Sequence, residues 1–537
     1  MSGLSRIAAF VAAAFVAAAL VATCANASEP GVGDIRVREL QLAFDEAFER
    51  YRPPGLAVGI VADGEVVFTA TRGELAAGGG QPVDRDTLFK IASNSKAMTA
   101  AVLARLVDQG KLEWTDRVVR HLPDFRMYDE WVTREMQVRD LLIHNSGLGA
   151  GAGDLMLWPE PNHYSRQDVI HGLRYLKPVY SFRSRYAYDN TLYIVAGEVA
   201  AAAGDAPFDQ LLRRELFEPL GLRRCQAGRW QRDGVGNVAQ PHASGPDGNR
   251  VAGADPEIIE DMPMLAAGGI RCSLDDMLRW AAMWLQPDRH GLDAGGRPYL
   301  SSAQREVAWK THMPMPLTAR MRAWDNSHFS AYGYGWRLTD VDGTWKVSHT
   351  GTLSGMYSSL TLLPEKGVGI VILANGDMDE LRTVLGQVLV KRFTRPDDGT
   401  LTVAHYAGQL ATRAAANDGP AAPVQSGPRR VAVASDARVA TGRYRDPWFG
   451  EVRLCPAGEG VEFRALKSPR LAGTLHHSGD RLLVDWHDPG VDAEAWVDFD
   501  RREDGTSMTL AKVDPEADFS YDYEDLAFQR IGDCDAP

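Results

Sequence analysis

A serine hydroxyl attacks a carbonyl only when a base stands ready to take its proton. In IASNSKAMTA, residues 91–100, Ser93 is followed three positions later by Lys96. Residues three apart on a helix share a face, so this spacing sets an amine beside a hydroxyl. A free lysine, with a pKa of about 10.4, is protonated at pH 7 and cannot act as a base. Burial or a neighbouring positive charge lowers that value and frees the lone pair. At a helix N-terminus the Ser93 N–H can also face a developing oxyanion. The pair by itself equally describes a helix-capping serine next to an exposed lysine, so its meaning depends on partners.

Two further clusters supply them. In RYAYDNTLYIVAGEVA, Tyr188 and Asn190 flank Asp189 just before a helix-like run. In an extended segment, residues two apart point the same way. A phenol beside an ammonium loses its proton more easily than its free pKa of about 10 suggests. Tyr188 is therefore expected to move a proton between Ser93 and a leaving group. Asn190 can offer its amide oxygen to Lys96 and its amide nitrogen to substrate. The competing reading is an Asx helix cap beside a packed tyrosine. In WKVSHTGTLSGMY, His349-Thr350-Gly351 ends a strand-like run. Gly351 would let substrate approach the backbone closely. Thr352 N–H would be a second oxyanion donor, and His349 would face a substrate carboxylate or polarise the Tyr188 proton. A plain hairpin turn is the alternative.

These residues need a scaffold. LAVGIVADGEVVFTATRG, 56–73, reads as two strands joined at Asp63-Gly64. AMTAAVLARLVDQG carries helical periodicity and stops at Gly110. ELFEPLGL and SLDDMLRWAAMWL read as helices. Strand patterns return in 332–351 and 354–377, turning at Asp342-Gly343 and Lys366-Gly367, before the helix-like DELRTVLGQVLVKRF. Strands at both ends with helices between predict an α+β fold: an antiparallel sheet flanked by helices, with a mostly helical inserted region. After Phe393 the texture changes. NDGPAAPVQSGPRR is linker-like, and the short alternating strands beyond it predict a small antiparallel barrel or sandwich. The expected divisions are a signal peptide over 1–27, a catalytic domain over 28–395, a linker over 396–430 and a barrel-like domain over 431–537.

Ser93-x-x-Lys96, Tyr188-x-Asn190 and His349-Thr350-Gly351, in this order, resemble the three motifs of the penicillin-recognising serine hydrolases. The resemblance is to the branch of class C β-lactamases, D-alanyl-D-alanine carboxypeptidases, D-aminopeptidases and related esterases. It covers roughly residues 36–395, with further landmarks in DLLIHNSGL, ELFEPLGL, AAGGIRCSLDDM and YGYGW. It implies the β-lactamase/transpeptidase-like fold and an acyl-enzyme on Ser93. Lys96 and Tyr188 would manage the proton, and Asn190, His349, Thr350, Gly351 and Thr352 would line the substrate site. Histidine replaces the usual lysine of the third motif, as in several peptidases and esterases of the branch, which favours a peptidase over a dedicated β-lactamase. The expected substrate is a small peptide of D-amino-acid or cell-wall type. An ester or a β-lactam at the same site is the alternative, and a non-catalytic binder of cell-wall peptides a further one. The barrel-like module resembles domains that border the cleft in some relatives.

The bulk sequence narrows partners. The chain has 537 residues, 45% of them apolar, and a formal net charge of −13 with no lysine- or arginine-rich run, which argues against a nucleic-acid partner. Arg6, an apolar run and CANASEP read as an export signal cleaved after Ala27. That predicts a periplasmic or secreted protein, with lipidation at Cys24 as a lesser option and no membrane span after cleavage. Cys225, Cys272, Cys455 and Cys534 allow three pairings; pairing within blocks, Cys225 with Cys272 and Cys455 with Cys534, stands beside the reading as separate buried thiols. No Gly-x-Ser-x-Gly and no His-Glu-x-x-His occurs. His476, His477 and His487 show no metal-ligand spacing, so no metal or cofactor is expected.

Overall fold

The computed structural model describes residues 32–245, 248–293, 295–417, 428–436, 438–503 and 505–534. The expected export signal and Cys24 lie outside the described residues.

An eight-stranded antiparallel sheet organises the first domain. Its strands are β1 (Gly55–Ala62), β2 (Glu65–Gly73), β3 (Met313–Pro314), β4 (Ser330–Tyr332), β5 (Arg337–Val341), β6 (Thr344–Leu353), β7 (Met356–Leu363) and β8 (Val368–Ala374). Their order is β2-β1-β8-β7-β6-β5-β4-β3, so the N-terminal hairpin pairs with the last strand. Both faces of the sheet are covered, and the period-two alternation of β1 shows how. Val58 and Ile60 join the core beneath helices α1 (Val32–Tyr51) and α5 (Asp379–Thr394), while Ala57 and Val61 join the core on the other face. There, between α2 (Ser95–Asp108) and α3 (Thr191–Gly204) on one side and α5 on the other in sequence, α4 (Leu274–Leu285) lies so close that a Cβ on Gly59 would stand 2.7 Å from Leu278. The region between the hairpin and β3 is mainly helical, and α2 and α3 form its buried centre.

Residues 396–430, expected as linker, contain the helix α6 (Val403–Asn417). Val403, Tyr406 and Ala407 are buried in the α1/α5 core, and the Tyr406 ring lies 4.9 Å from Trp324. This i, i+3, i+4 pattern makes α6 an amphipathic part of the first domain rather than a spacer.

The C-terminal domain is a closed eight-stranded antiparallel barrel. It runs through β9 (Gly442–Asp446), β10 (Gly450–Ala457), β11 (Gly460–Ala465), β12 (Ala472–Ser478), β13 (Arg481–Trp486), β14 (Ala495–Arg502), β15 (Gly505–Lys512) and β16 (Ala527–Gly532), and closes where β9 meets β16. Closure leaves no free edge among these strands. Disulfides join Cys225 to Cys272 and Cys455 to Cys534, so each bridge lies within one block. The barrel docks on the helical region through Tyr164 Oη, donating to Phe449 O at 2.7 Å, and Lys467 Nζ, donating to Asp168 at 2.7 Å. Among the described residues no helix is long and apolar enough to cross a membrane.

Candidate active site

Ser93 lies in a short 3-10 turn, Ala92–Asn94, that runs straight into α2. Ala92 has φ +48°, a conformation costly for a residue with a Cβ. It is held there by its surroundings. Asn94 Nδ2 donates to Ser358 Oγ at 2.8 Å, and Ser358 Oγ donates to Ile91 O at 2.7 Å, tying the turn to β7. Gly351 of β6 faces the same turn, and a Cβ there would stand 2.2 Å from Ile91 O. The expected role of Gly351, admitting substrate, is thus corrected: its missing side chain admits the Ser93 turn. Gly335, with φ +77°, makes the same kind of approach to α2, where a Cβ would stand 2.7 Å from Lys96 O.

Lys96 is wholly buried. Its Nζ is 3.1 Å from Ser93 Oγ and donates to Asn190 Oδ1 at 2.7 Å and Ala267 O at 2.9 Å. Burial pushes the amine down from 10.5 to about 7; Asp154 opposes the fall and Arg337 adds to it. A neutral amine has two N–H bonds and one lone pair. With both N–H groups on carbonyl oxygens, the lone pair is left for the Ser93 proton. The Ser93 side chain is also among the groups that hold the Tyr188 phenol down, so three of the sequence-derived groups gather at one place.

Tyr188 differs from expectation. Burial pushes its phenol up to about 12, against the opposing effects of Arg337 and the Ser93 side chain. Its ring packs 4.3 Å from the His144 ring, with Lys96 Nζ 4.8 Å from its own centroid. The sequence reading counted the neighbouring ammonium and missed desolvation, which dominates. Lys96, not Tyr188, is the group that loses its proton near neutral pH. The Asn190 amide nitrogen donates to Asp154 Oδ2 at 2.8 Å, a partner the sequence did not suggest. Asp189 caps α3, accepting from Thr191 Oγ1 and Leu192 N.

His349 is fully buried and reaches no substrate position. Tyr332 Oη lies 2.8 Å from its Nε2, and its Nδ1 lies 2.7 Å from Thr350 O. Burial first, then the charges of Arg337 and Lys96, hold the imidazole well below its usual range, so it is neutral. Nδ1–H therefore donates to the carbonyl and Nε2 accepts from the phenol. The cation of this wall comes from the adjacent strand instead: Arg337 Nη1 donates to Thr350 Oγ1 at 2.7 Å. Thr352 is exposed in the cleft, and its hydroxyl accepts from Arg382 at 2.9 Å. Arg337 was missed in the sequence although it directly follows YGYGW, a landmark already noted.

Ser93, Tyr188, Asn190, Arg337, Thr350 and Thr352 line one cleft of about 1870 Å³. The barrel supplies its far wall with Arg470, Asp488, Asp492 and the segment Asp518–Tyr521. The barrel histidines form no metal cluster. His477 Nε2 lies 2.6 Å from Asp436 and His487 Nε2 lies 2.9 Å from Thr474 Oγ1. Among the described residues no group of three or more metal-ligating side chains is gathered.

Residues 40–389 match the family described as Beta-lactamase. The chain belongs to the beta-lactamase family. Residues 439–530 of this beta-lactamase-family hydrolase match a domain family of unknown function, DUF3471. The chain is 28% identical over 364 residues to penicillin-binding protein 4 of Amycolatopsis lactamdurans, covering 65% of this chain and 89% of that protein. It is 23% identical over 344 residues to the D-alanyl-D-alanine-carboxypeptidase/endopeptidase AmpH of Escherichia coli K12, covering 61% and 81%. An octameric penicillin-binding protein homologue from Pyrococcus abyssi shares the fold, with a TM-score of 0.57, 18% identity, and coverage of 92% of this chain and 100% of the other. The fold expected from the sequence is the one found, and the protein is a β-lactamase-related serine hydrolase.

Proposed function

We propose that this hydrolase is a serine peptidase that cleaves short peptides bearing a free carboxylate, through an acyl-enzyme on Ser93. The observation that carries this reading is Arg337. It is permanently charged, it lines the Ser93 cleft, and it is held against Thr350 by a 2.7 Å hydrogen bond. A guanidinium beside a hydroxyl offers a carboxylate two donors in one plane. The neutral His349 behind it offers none to the cleft. The penicillin-binding and carboxypeptidase names of the relatives support the same substrate class.

In the proposed mechanism, Ser93 Oγ attacks the scissile carbonyl as Lys96 Nζ takes its proton. The N–H groups of Ser93 and Thr352 hold the oxyanion. Tyr188 keeps its proton in the free enzyme, and its high pKa suits it to donate to the leaving amine while being resupplied from Lys96. Water then releases the acyl group. The segment beginning at residue 1 carries the features of an export signal, so we place this activity in the periplasm or outside the cell.

The test exposes the protein and its Ser93→Ala variant to a fluorophosphonate, a labelled penicillin and a pair of short D-alanine peptides. One peptide has a free C-terminus and the other an amide cap. Intact mass reads adducts, and chromatography reads cleavage. The reading expects Ser93-dependent adducts and preferential cleavage of the free-carboxylate peptide. Equal cleavage of the capped peptide removes the role given to Arg337. Phosphonate labelling with ester turnover and no peptide cleavage makes the protein a carboxylesterase instead. Adducts that persist in Ser93→Ala refute the nucleophile.

A further inference from the structure

The barrel contributes more than a wall. Its segment between β15 and β16 enters the helical region and meets residues 151–156. Asp522 accepts from Gly153 N at 2.6 Å and Leu155 N at 3.0 Å. Gly151 has φ +74°, and a Cβ on it would stand 2.4 Å from Phe519 O. The Phe519 ring lies 5.8 Å from Tyr188, edge to face. Between these contacts Ser520 Oγ donates to Asp154 Oδ2 at 3.0 Å. The same carboxyl oxygen accepts from Asn190 Nδ2, and Asn190 Oδ1 accepts from Lys96. An unbroken chain of three hydrogen bonds therefore runs from the barrel to the amine beside Ser93.

Each link fixes the next. The Asn190 amide serves Lys96 only in the flip that presents oxygen to the amine. That flip is enforced by an acceptor for its nitrogen, which is Asp154 Oδ2. Asp154 is fully buried, and its other oxygen has no protein partner. Its carboxyl must therefore be held by what meets Oδ2. The charged or titratable groups acting on it are Lys96, Tyr188, Asp189 and Asp522. Burial raises its pKa well above the usual carboxylate range, while the Asn190 and Ser520 hydrogen bonds and the Lys96 charge oppose the rise.

We propose that Ser520 of the barrel domain is a positioning residue of the hydrolase site, orienting the Lys96 base through Asp154 and Asn190. This rests on acyl transfer at Ser93 but not on the peptide reading, so the test uses a probe without peptide character. The full chain is treated with a fluorophosphonate, and the rate of Ser93 labelling is followed by intact mass across pH, beside thermal unfolding. Ser520→Ala is expected to slow labelling about 3- to 10-fold, the worth of one neutral hydrogen bond. Ser520→Thr, which keeps the hydroxyl, restores the rate. Asp154→Ala, which strands the Asn190 nitrogen, is expected to lose about 10- to 100-fold, and Asp154→Asn, which keeps an acceptor, loses less. Labelling of Ser520→Ala at the unsubstituted rate overturns the proposal, as does equal slowing in Ser520→Ala and Ser520→Thr, which would mean loop packing alone. If Ser93 of the unsubstituted protein is not labelled at all, the acyl-transfer reading falls and takes this proposal with it.

Discussion

Replacing Lys96 with methionine tests the buried amine without relying on any substrate. The fall in its pKa from 10.5 to about 7 corresponds to roughly 5 kcal/mol between protonation states. The sign follows from where the proton sits. The folded pKa lies below the unfolded one, so the penalty is fully present below about pH 7 and is released as pH rises toward the unfolded value. Between pH 6 and pH 9 the unfolded lysine keeps its proton while the folded one loses it, and linkage gives a gain of about 3 kcal/mol. Methionine fills a similar volume and does not titrate. Its cost, two carbonyl oxygens at Asn190 and Ala267 left without a donor, is the same at both pH values. Denaturant unfolding of both proteins at pH 6 and pH 9 should show the unsubstituted protein gaining about 3 kcal/mol on Lys96→Met as pH rises. Acylation of Ser93 should rise with pH through a midpoint near 7, and fall about 10³-fold in the variant. A stability difference that does not change with pH would refute the neutral-amine reading, whatever the variant does to activity.

Arg337→Met should raise KM for a carboxylate-bearing peptide at least about 10-fold, and raise it less for a neutral ester, as steady-state kinetics on the pair would show. Gly351→Ala puts a Cβ 2.2 Å from Ile91 O; it should destabilise by about 1–3 kcal/mol and slow Ser93 labelling about 10²-fold by displacing the nucleophile turn. His349 is buried and neutral, so His349→Gln should leave the pH midpoint of acylation where it was, while thermal unfolding shifts down because Tyr332 loses its acceptor geometry. Cys455→Ser with Cys534→Ser should lower the unfolding temperature of the barrel, by the roughly 2–5 kcal/mol typical of a native bridge.

The parts of the site that were legible in the sequence are those whose chemistry is local. Ser93 and Lys96 are one turn apart, and Tyr188 and Asn190 are two residues apart, so spacing alone put the right groups on the right face. What escaped notice depends on burial or on distant chain. Desolvation outweighs the pull of neighbouring cations on Tyr188 and holds His349 neutral, and no motif records how deep a side chain sits. Arg337 brings a cation to this wall from the neighbouring strand, across a β5–β6 pairing that sets Arg337 opposite Ser348. Asp154 and Ser520 meet across more than half the chain. The α6 helix is different: Val403, Tyr406, Ala407 and Leu410 carry a clear helical spacing that the adjoining Pro- and Gly-rich run obscured. The fold class was legible because the hairpin turns Asp63-Gly64, Asp342-Gly343 and Lys366-Gly367 each dictate antiparallel neighbours.

The pairing of β1 with β8 imposes an order of events. Gly55–Ala62 lies one strand in from the edge of the sheet, between Glu65–Gly73 and Val368–Ala374, and the latter is made only after the whole helical insertion. Until then the hairpin offers an apolar strand with one side unoccupied, and closing so long a stretch of chain delays its capture. Ribosomal synthesis must therefore run nearly to the end of the first domain before its nucleophile turn has a sheet to rest on. A chain cut short anywhere before residue 368 should expose that strand to self-association and bear no activity.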